Sequence, residues 1–234
     1  MGYVGSELET FRAAVNWKAY LGSLMTPYVR GAVLEVGAGI GSTTEVLFTA
    51  SVTTWICLEP DPELAGAIDT KIKEGVLPDW VRVQVGTIQG LEEAAFDTIL
   101  YVDVLEHIED DRGELERAAA RLRPGGHLLV LAPSHQWLFS PFDSAIGHFR
   151  RYTKRGLREL SPPGLRLVRL RYLDSVGLLA SAANRFLLRS SSPSLGQIRF
   201  WDRFLVRGSR TIDPLLAYSV GKSVLGVWAT EVGT

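Results

Sequence analysis

The run EVGAGIG at residues 35–41 has the residue types and spacing of a ligand-binding turn. Glycines at such a turn permit positive φ angles, let a ligand approach the bare backbone, and allow a helix to pack closely on a strand. Glu59 follows Gly41 by 18 residues, and an acid at this distance can accept both hydroxyls of a ribose. The pair therefore predicts a site for a nucleoside-containing ligand.

The spacing of these glycines excludes two other nucleotide motifs. Read from Gly37, the dinucleotide fingerprint GxGxxG would require a third glycine where Ser42 stands. A phosphate loop would require Gly-Lys-Ser/Thr, which does not follow the turn. The motif is therefore of the ExGxGxG type.

A second group of chemically capable residues is the run DSAIGHFRRYT at 143–153. His148 could remove a proton from an acceptor hydroxyl, amine or carbon acid, because the pKa of an unperturbed imidazole is about 6.5. Asp143 could orient the ring. In the alternative interpretation, Asp143, His148, Arg151 and Tyr152 form a structural network that fixes the loop. His107 is a weaker candidate for the base, and no ligand spacing predicts a metal site.

Composition limits the classes of protein that this chain could belong to. Its 234 residues are 46% hydrophobic and 22% charged, which predicts one globular domain with a small addition. The single cysteine, Cys57, excludes a disulfide framework. Residues 1–147 carry 10 basic and 21 acidic side chains, whereas residues 148–234 carry 15 and 5. This asymmetry indicates either two different surfaces or a basic part folded against an acidic one.

Neither an export signal nor an apolar stretch of about 18 residues is present, so we expect a cytoplasmic protein without a membrane span. The formal net charge of −1 does not favour a nucleic-acid partner.

Hydrophobic patterning predicts strands that alternate with helices, which is typical of a parallel sheet covered on both faces. The predicted strands are 32–36, 53–59, 80–88, 97–102, 127–134, 164–174 and 223–232. The predicted helices include 7–29, 61–74, 110–126, 175–189 and 198–220, the last interrupted by Pro214. We expect residues 1–31 to form a helical lid, or an element swapped in a homodimer. We expect residues 174–220 to form a helical cap on a domain over 32–234.

Four segments together resemble the class I S-adenosylmethionine-dependent methyltransferases. They are VLEVGAGIG (33–41), CLEPD (57–61), FDTILYVDVLEHIEDD (96–111) and LRPGGHLLVLAPS (122–134). The resemblance implies an α/β, Rossmann-like fold with a seven-stranded, mainly parallel sheet whose last strand is antiparallel. It also implies S-adenosylmethionine as donor and S-adenosylhomocysteine as product. The run at 143–152 resembles a Gly-His-x-Arg-Arg-Tyr stretch of one subgroup.

The resemblance assigns roles to individual residues. The glycine turn would pass under the methionine part and the ribose, Glu59 would hold the ribose diol, and Asp103 would face the methionine amino group or the methyl. Many members hold the adenine amino group with an acid after the third strand; here Thr87, the Ile88 backbone or Gln89 would substitute. The donor-binding residues so implied are Glu35, Gly37, Ala38, Gly39, Gly41, Glu59, Pro60, Gly86, Thr87, Ile88, Asp103, Val104 and Leu105.

The resemblance favours a methyltransferase that acts on a small-molecule acceptor at oxygen, nitrogen or carbon, in secondary metabolite biosynthesis. The Arg/Lys run over 150–171 either contacts an anionic or amphipathic acceptor or is a solvated face. An RNA or protein methyltransferase is the main alternative, disfavoured because the chain has no separate RNA-binding module. Two further alternatives are a donor-binding module without catalysis and a cyclase or decarboxylase that uses only the field of the sulfonium.

Overall fold

A single seven-stranded sheet organises the chain. The structure is a computed structural model that describes residues 12–92, 94–183 and 194–231. The strands are β1 (Gly31–Val36), β2 (Val52–Glu59), β3 (Val81–Val85), β4 (Phe96–Val102), β5 (Leu122–Pro133), β6 (Leu165–Leu173) and β7 (Ser223–Thr230). Their order is β3-β2-β1-β4-β5-β7-β6. The predicted fold class is therefore confirmed.

The sheet is parallel from β3 to β5, and β7 lies antiparallel between β5 and β6. The order reverses beside β1, since β2 and β4 pair with its two edges. In open α/β sheets, ligands bind in the crevice outside the carboxyl ends of the strands at such a reversal. The glycine turn leaves β1 at this point.

Helices cover both faces of the sheet, and each face has its own core cluster. The helices are α1 (Val15–Met25), α2 (Thr44–Leu47), α3 (Pro62–Lys73), α4 (Asp111–Ala119), α5 (Pro141–Ala145), α6 (Lys154–Glu159), α7 (Ser175–Ala183), α8 (Leu195–Phe200) and α9 (Val206–Leu215). A π-helical segment, Trp201–Leu205, joins α8 to α9. Three strands, β1, β4 and β7, are buried over most of their length.

Asp202, from the π segment, fixes the start of the N-terminal helix. Its carboxylate accepts hydrogen bonds from the backbone N–H groups of Asn16 and Trp17, at 3.1 and 2.8 Å. Ala14 precedes the helix and cannot cap it with a side chain. A distant aspartate therefore satisfies the free donors at the helix N-terminus.

Two more buried aspartates tie the cap to the sheet. Asp213 of α9 accepts from the Tyr20 hydroxyl at 2.8 Å and from the backbone N–H of Asp174 at 2.7 Å. Asp174, directly after β6, accepts from the Trp201 indole N–H at 2.7 Å and the Ser209 hydroxyl at 2.6 Å. Hydrogen bonds between buried groups thus join the N-terminal helix, the cap and the end of β6.

The boundaries predicted for three helices were wrong. The helix expected over 7–29 begins at Val15, because Ala14 has φ −82° and ψ 65°, and ends at Met25; residues 7–11 lie outside the described part of the chain. The helix expected over 110–126 ends at Ala119, because Leu122 already pairs with Phe96 in the sheet. In place of the helix expected over 198–220, α8, the π segment and α9 follow one another from Leu195 to Leu215, with Pro214 inside the final turn.

Candidate functional site

The glycine turn after β1 adopts a backbone conformation that is unfavourable for residues with a side chain. Gly37, Gly39 and Gly41 have φ angles of 67°, 57° and 74°. The N–H of Gly37 donates to the Leu58 carbonyl at 2.7 Å, which fixes the turn to the end of β2. A Cβ on Gly37 would lie 2.6 Å from a methyl of Val104. Glycine is therefore required here both by the positive φ and by the close approach of the segment after β4.

Glu59 lies at the carboxyl end of β2 and faces this turn. One carboxylate oxygen accepts from the Gly39 N–H at 2.7 Å, and the other accepts from the Asp61 N–H at 3.0 Å. Burial raises the pKa of Glu59, although both hydrogen bonds oppose this shift. The structure thus brings the acid and the glycine turn into direct contact.

Glu35 lies beneath the turn. Its side chain is buried, and one oxygen accepts from the Thr44 hydroxyl at 2.5 Å and the Trp55 indole N–H at 3.0 Å. Burial raises the pKa of Glu35 to about 7, although the two hydrogen bonds lower it. The carboxylate therefore joins β1 to the first turn of α2 and supports the glycine turn from below.

Replacing Glu35 with glutamine is expected to flatten the pH dependence of stability. The pKa of Glu35 is about 7 in the folded protein against an ordinary value of 4.5. Its stabilising contribution is therefore complete below about pH 4.5 and is lost as the pH rises through about 7, which amounts to about 3 kcal/mol. Glutamine keeps the acceptor for Thr44 and Trp55 but carries no charge.

Urea unfolding at about pH 5 and about pH 8.5 tests this prediction. Glu35→Gln should gain stability relative to the natural chain at the higher pH only. The exposed Glu116 of α4 provides the control, and Glu116→Gln should leave the natural pH profile unchanged. An equal difference between Glu35→Gln and the natural chain at both pH values contradicts the assignment.

Asp103 lies directly after β4 in a strained conformation. Its φ is 54°, which is rare for a residue with a side chain, and its N–H donates to the Leu131 carbonyl at 3.0 Å. The carboxylate opens into a cavity, and the protein around it raises its pKa by desolvation, partly offset by the charges of His148 and Lys222. A cation bound beside it would be strongly favoured.

The end of β3 supplies the remaining donor-binding residues of the prediction. Gly86 has φ 149°, and its N–H donates to the Glu59 carbonyl at 3.0 Å. Thr87 and Gln89 are exposed and Ile88 is buried. This stretch therefore lies beside Glu59, as the prediction requires.

A cavity of about 280 Å³ adjoins Asp103 on the side of the sheet that carries the cap. Trp17 of α1 and Trp201 of the π segment form part of its wall, with ring centroids 5.8 Å apart. The polar side chains in its lining are Asp103, Glu106, His107, Asp143, His148, Arg151, Ser181, Lys222 and Ser223. Titratable groups from three separate segments of the chain therefore meet in one cavity.

Asp143 and His148 are in direct contact in this cavity. The Asp143 carboxylate lies 2.9 Å from His148 Nδ1 and accepts from Arg151 at 2.8 and 3.0 Å. Although its burial acts in the opposite direction, hydrogen bonds from His148 and Arg151 hold the pKa of Asp143 below its ordinary value. Asp143 is thus an ionised acceptor that fixes the imidazole through Nδ1 and leaves Nε2 for other partners.

The other residues of the 148–152 run hold the loop in place. The Phe149 N–H donates to the Glu106 carbonyl at 2.8 Å, and Arg150 forms a 2.8 Å ion pair with Asp111. The Tyr152 hydroxyl donates to Asp111 at 2.9 Å. His148 faces the cavity, whereas Tyr152 makes the kind of contact that the alternative interpretation expects of a structural network. Arg150, which that interpretation did not include, also holds the loop.

Sequence reasoning missed Glu106. Its side chain is 1% exposed, one oxygen lies 3.8 Å from His148 Nε2, and the other has no hydrogen-bond partner among the described residues. Burial raises the pKa of Glu106, and the charge of Asp103 adds to the shift. Its position, three residues after Asp103 and directly before His107, is the feature of the sequence that could have identified it. The pKa of His107 is lowered to about 4 by burial and by His148.

Lys222 was also missed, since it precedes β7 and has no motif around it. Its ammonium lies 3.8 Å from the centre of the Trp201 ring and 3.5 Å from Asp174. Burial lowers the pKa of Lys222, and Asp174 opposes that shift. Only the pairing of β7 between β5 and β6 brings this lysine to the cavity.

Comparisons with known proteins agree with this geometry. Residues 34–128 match the family model described as "Methyltransferase domain". Over 105 residues the chain is 34% identical to the ubiquinone biosynthesis O-methyltransferase of Paramagnetospirillum magneticum (strain ATCC 700264 / AMB-1), an alignment that covers 44% of this chain and 41% of that protein. The chain thus spans less than half the length of that relative.

Solved structures share the fold over nearly the whole chain. An S-adenosylmethionine-dependent methyltransferase from Clostridium acetobutylicum ATCC 824 superposes with a TM-score of 0.59 at 12% identity, covering 93% of this chain and 92% of that one. The [4+2]-cyclase SpnF superposes with a TM-score of 0.62 at 16% identity, covering 92% and 81%. At these identities the likeness concerns the fold.

Proposed function

We propose that this protein transfers the methyl group of S-adenosylmethionine to a small-molecule acceptor. The observation that carries the proposal is the adjacency of two half-sites: the glycine turn with Glu59 at the ends of β1 and β2, and the cavity that begins at Asp103 after β4. A donor on the first would present its sulfonium to an acceptor in the second. In-line methyl transfer needs this positioning more than it needs covalent chemistry.

The donor contacts follow from the residues at the strand ends. Glu59 would accept the ribose hydroxyls, the backbone of 37–41 would lie under the methionine part, and Asp103 would accept from the amino group. The segment 86–88 beside Glu59 would bind the adenine, with Val104 and Leu105 along the same wall. S-adenosylhomocysteine would remain as the product.

The size of the cavity supports a small acceptor over RNA or protein, because α1 and the cap cover it. The Arg and Lys side chains in its lining already have acidic partners, since Arg151 binds Asp143 and Lys222 lies beside Asp174. A neutral or amphipathic acceptor therefore fits better than an anion.

Membership of the Gly-His-x-Arg-Arg-Tyr subgroup and a role in biosynthesis, as in the ubiquinone relative, are part of the proposal. No helix in the described residues has the length and apolar character to cross a membrane.

Calorimetry with S-adenosylmethionine and S-adenosylhomocysteine tests the donor site. Asp103→Asn is expected to weaken S-adenosylmethionine binding about 10- to 100-fold, because a hydrogen bond to a charged group contributes about 1.5–3 kcal/mol. In the natural protein, affinity should rise with pH up to the raised pKa of Asp103, since the bound cation favours the ionised carboxylate. The variant should lose that dependence.

Glu116→Gln serves as the control, because this carboxylate is exposed on α4. Unchanged affinity of Asp103→Asn for both ligands would exclude the assigned donor site. Once donor binding is established, a screen of acceptors with methyl-labelled donor separates a methyltransferase from a donor-binding module or a cyclase, because only the first transfers label.

A further inference from the structure

We infer that Glu106, His107 and His148 form a binding site for one divalent transition-metal cation. One potential ligand atom from each of the three side chains lies within 4.8 Å of the other two. All three side chains line the cavity, so a bound cation would keep coordination positions open towards an acceptor. The three come from two segments: the turn after β4 and the loop after α5.

The buried carboxylate of Glu106 is the first reason for this assignment. The side chain is 1% exposed, and its Oε2 has no hydrogen-bond partner among the described residues. Unpartnered buried oxygens are costly, because the desolvation of a polar group is not repaid. A cation is the partner that would repay it most strongly.

The second reason is the arrangement of His148. Asp143 binds Nδ1 of the ring at 2.9 Å, and a metal-ligating histidine commonly has such a carboxylate on its other nitrogen. The remaining nitrogen, Nε2, is 3.8 Å from Glu106 Oε1, too far for a hydrogen bond. Two ligands of one metal at about 2.0–2.2 Å lie about 3–4.3 Å apart, which includes this distance.

The ligand set indicates the class of cation. Imidazole favours zinc, iron, nickel or copper, and carboxylate adds manganese, whereas magnesium and calcium prefer oxygen ligands alone. His107 offers one ring nitrogen to the cluster. The potential ligand atoms are at most 4.8 Å apart, so they would have to approach one another by at most about half an ångström to bind one cation.

A cation here would have a consequence for the proposed reaction. An acceptor hydroxyl that binds a divalent metal loses its proton at a lower pH, as metal-bound water does. His148 would then act as a ligand, and the cation would activate the acceptor. The metal site itself does not depend on the proposed methyl transfer, because it can be measured without donor or acceptor.

The test is metal binding to the full chain, freed of any affinity tag and stripped with a chelator. Titration with Co²⁺, followed by visible absorption, and with Zn²⁺ and Mn²⁺, followed by calorimetry, should show one site per chain. Glu106→Gln, His107→Ala and His148→Ala should each abolish it, and Asp143→Asn should weaken it about 10- to 100-fold. His127→Ala, which changes a histidine of β5 that does not line the cavity, is the control and should bind as the natural chain does.

Several outcomes would overturn the inference. They are no binding to the natural chain, binding that survives all three ligand substitutions, or an equal loss in His127→Ala. Circular dichroism identifies variants that fail to fold, and for these the absorption spectrum of the natural Co²⁺ complex still decides, because nitrogen ligation must be visible in it. A Glu106–His148 pair that shares a proton without any cation is the alternative that such results would support. Failure of the donor titrations would leave the metal titrations unaffected.

Discussion

The turnover of a His148→Ala variant is expected to be about 10²–10⁴-fold lower than that of the natural protein, equivalent to about 3–5 kcal/mol in the barrier. Asp143 holds the His148 ring through Nδ1 at 2.9 Å. The other ring nitrogen, Nε2, lies 3.8 Å from Glu106 Oε1 in the cavity. This loss is expected whether the ring accepts the acceptor proton itself or holds a cation that activates the acceptor. The position of His148 in the cavity makes it necessary for the reaction of the acceptor and not for donor binding.

Initial rates and donor calorimetry on the same preparation test this prediction. At about pH 8, above the pKa of about 6 of Asp103, the affinity for S-adenosylhomocysteine should stay within about threefold of the natural value. The 37–41 turn, Glu59 and the ionised Asp103 are then unchanged; threefold is roughly 0.7 kcal/mol. His127→Ala is again the matched control. If His148 only fixes the loop, turnover, donor affinity and melting temperature should fall together. Natural turnover in His148→Ala would exclude both roles.

Gly37→Ala is expected to weaken donor binding about 10²-fold, because small displacements at a positioning turn have effects of that order. The new Cβ would meet two methyl carbons of Val104 at 2.6 and 2.8 Å, in a backbone with φ 67°. Either Val104 or the turn must move, and both belong to the proposed donor site. The strain should also lower the unfolding free energy by about 1–3 kcal/mol.

Gly66→Ala is the matched control, since Gly66 lies exposed in α3 and a Cβ there would meet nothing within 4 Å. Alanine at this position should leave donor affinity unchanged and increase stability by about 0.4–1 kcal/mol. Calorimetry and urea unfolding on both variants give the comparison. Donor affinity of Gly37→Ala equal to that of Gly66→Ala would show that the turn is not part of the donor site.

The sequence predicted the elements whose signals are local. Five strands were visible as apolar runs between turn residues, and β3 and β6 were visible by the alternation of apolar and polar residues. The parallel arrangement followed from strands alternating with helices. The glycine turn and Glu59 were also readable, since a positive φ and a strand-end acid depend on neighbouring residues only.

Helix boundaries required information from elsewhere in the chain. The start of α1 depends on Asp202, which supplies the cap that Ala14 lacks from a position 185 residues from Trp17. The end of α4 depends on the pairing of Leu122 with Phe96 across the sheet. In both cases a long-range contact overrides the local propensity, and no window along the sequence contains both partners.

The acceptor side was decided almost entirely by the tertiary structure. Asp143 and His148 are near each other in sequence and could be paired from it, but Glu106 meets His148 only because the loop after α5 folds back on the turn after β4. Lys222 reaches the cavity only because β7 inserts between β5 and β6. Periodicity and motif spacing indicate which residues could take part in chemistry. Which of them line one cavity depends on sheet order and on the folding of the loops, because electrostatic and ligand contacts act over a few ångströms.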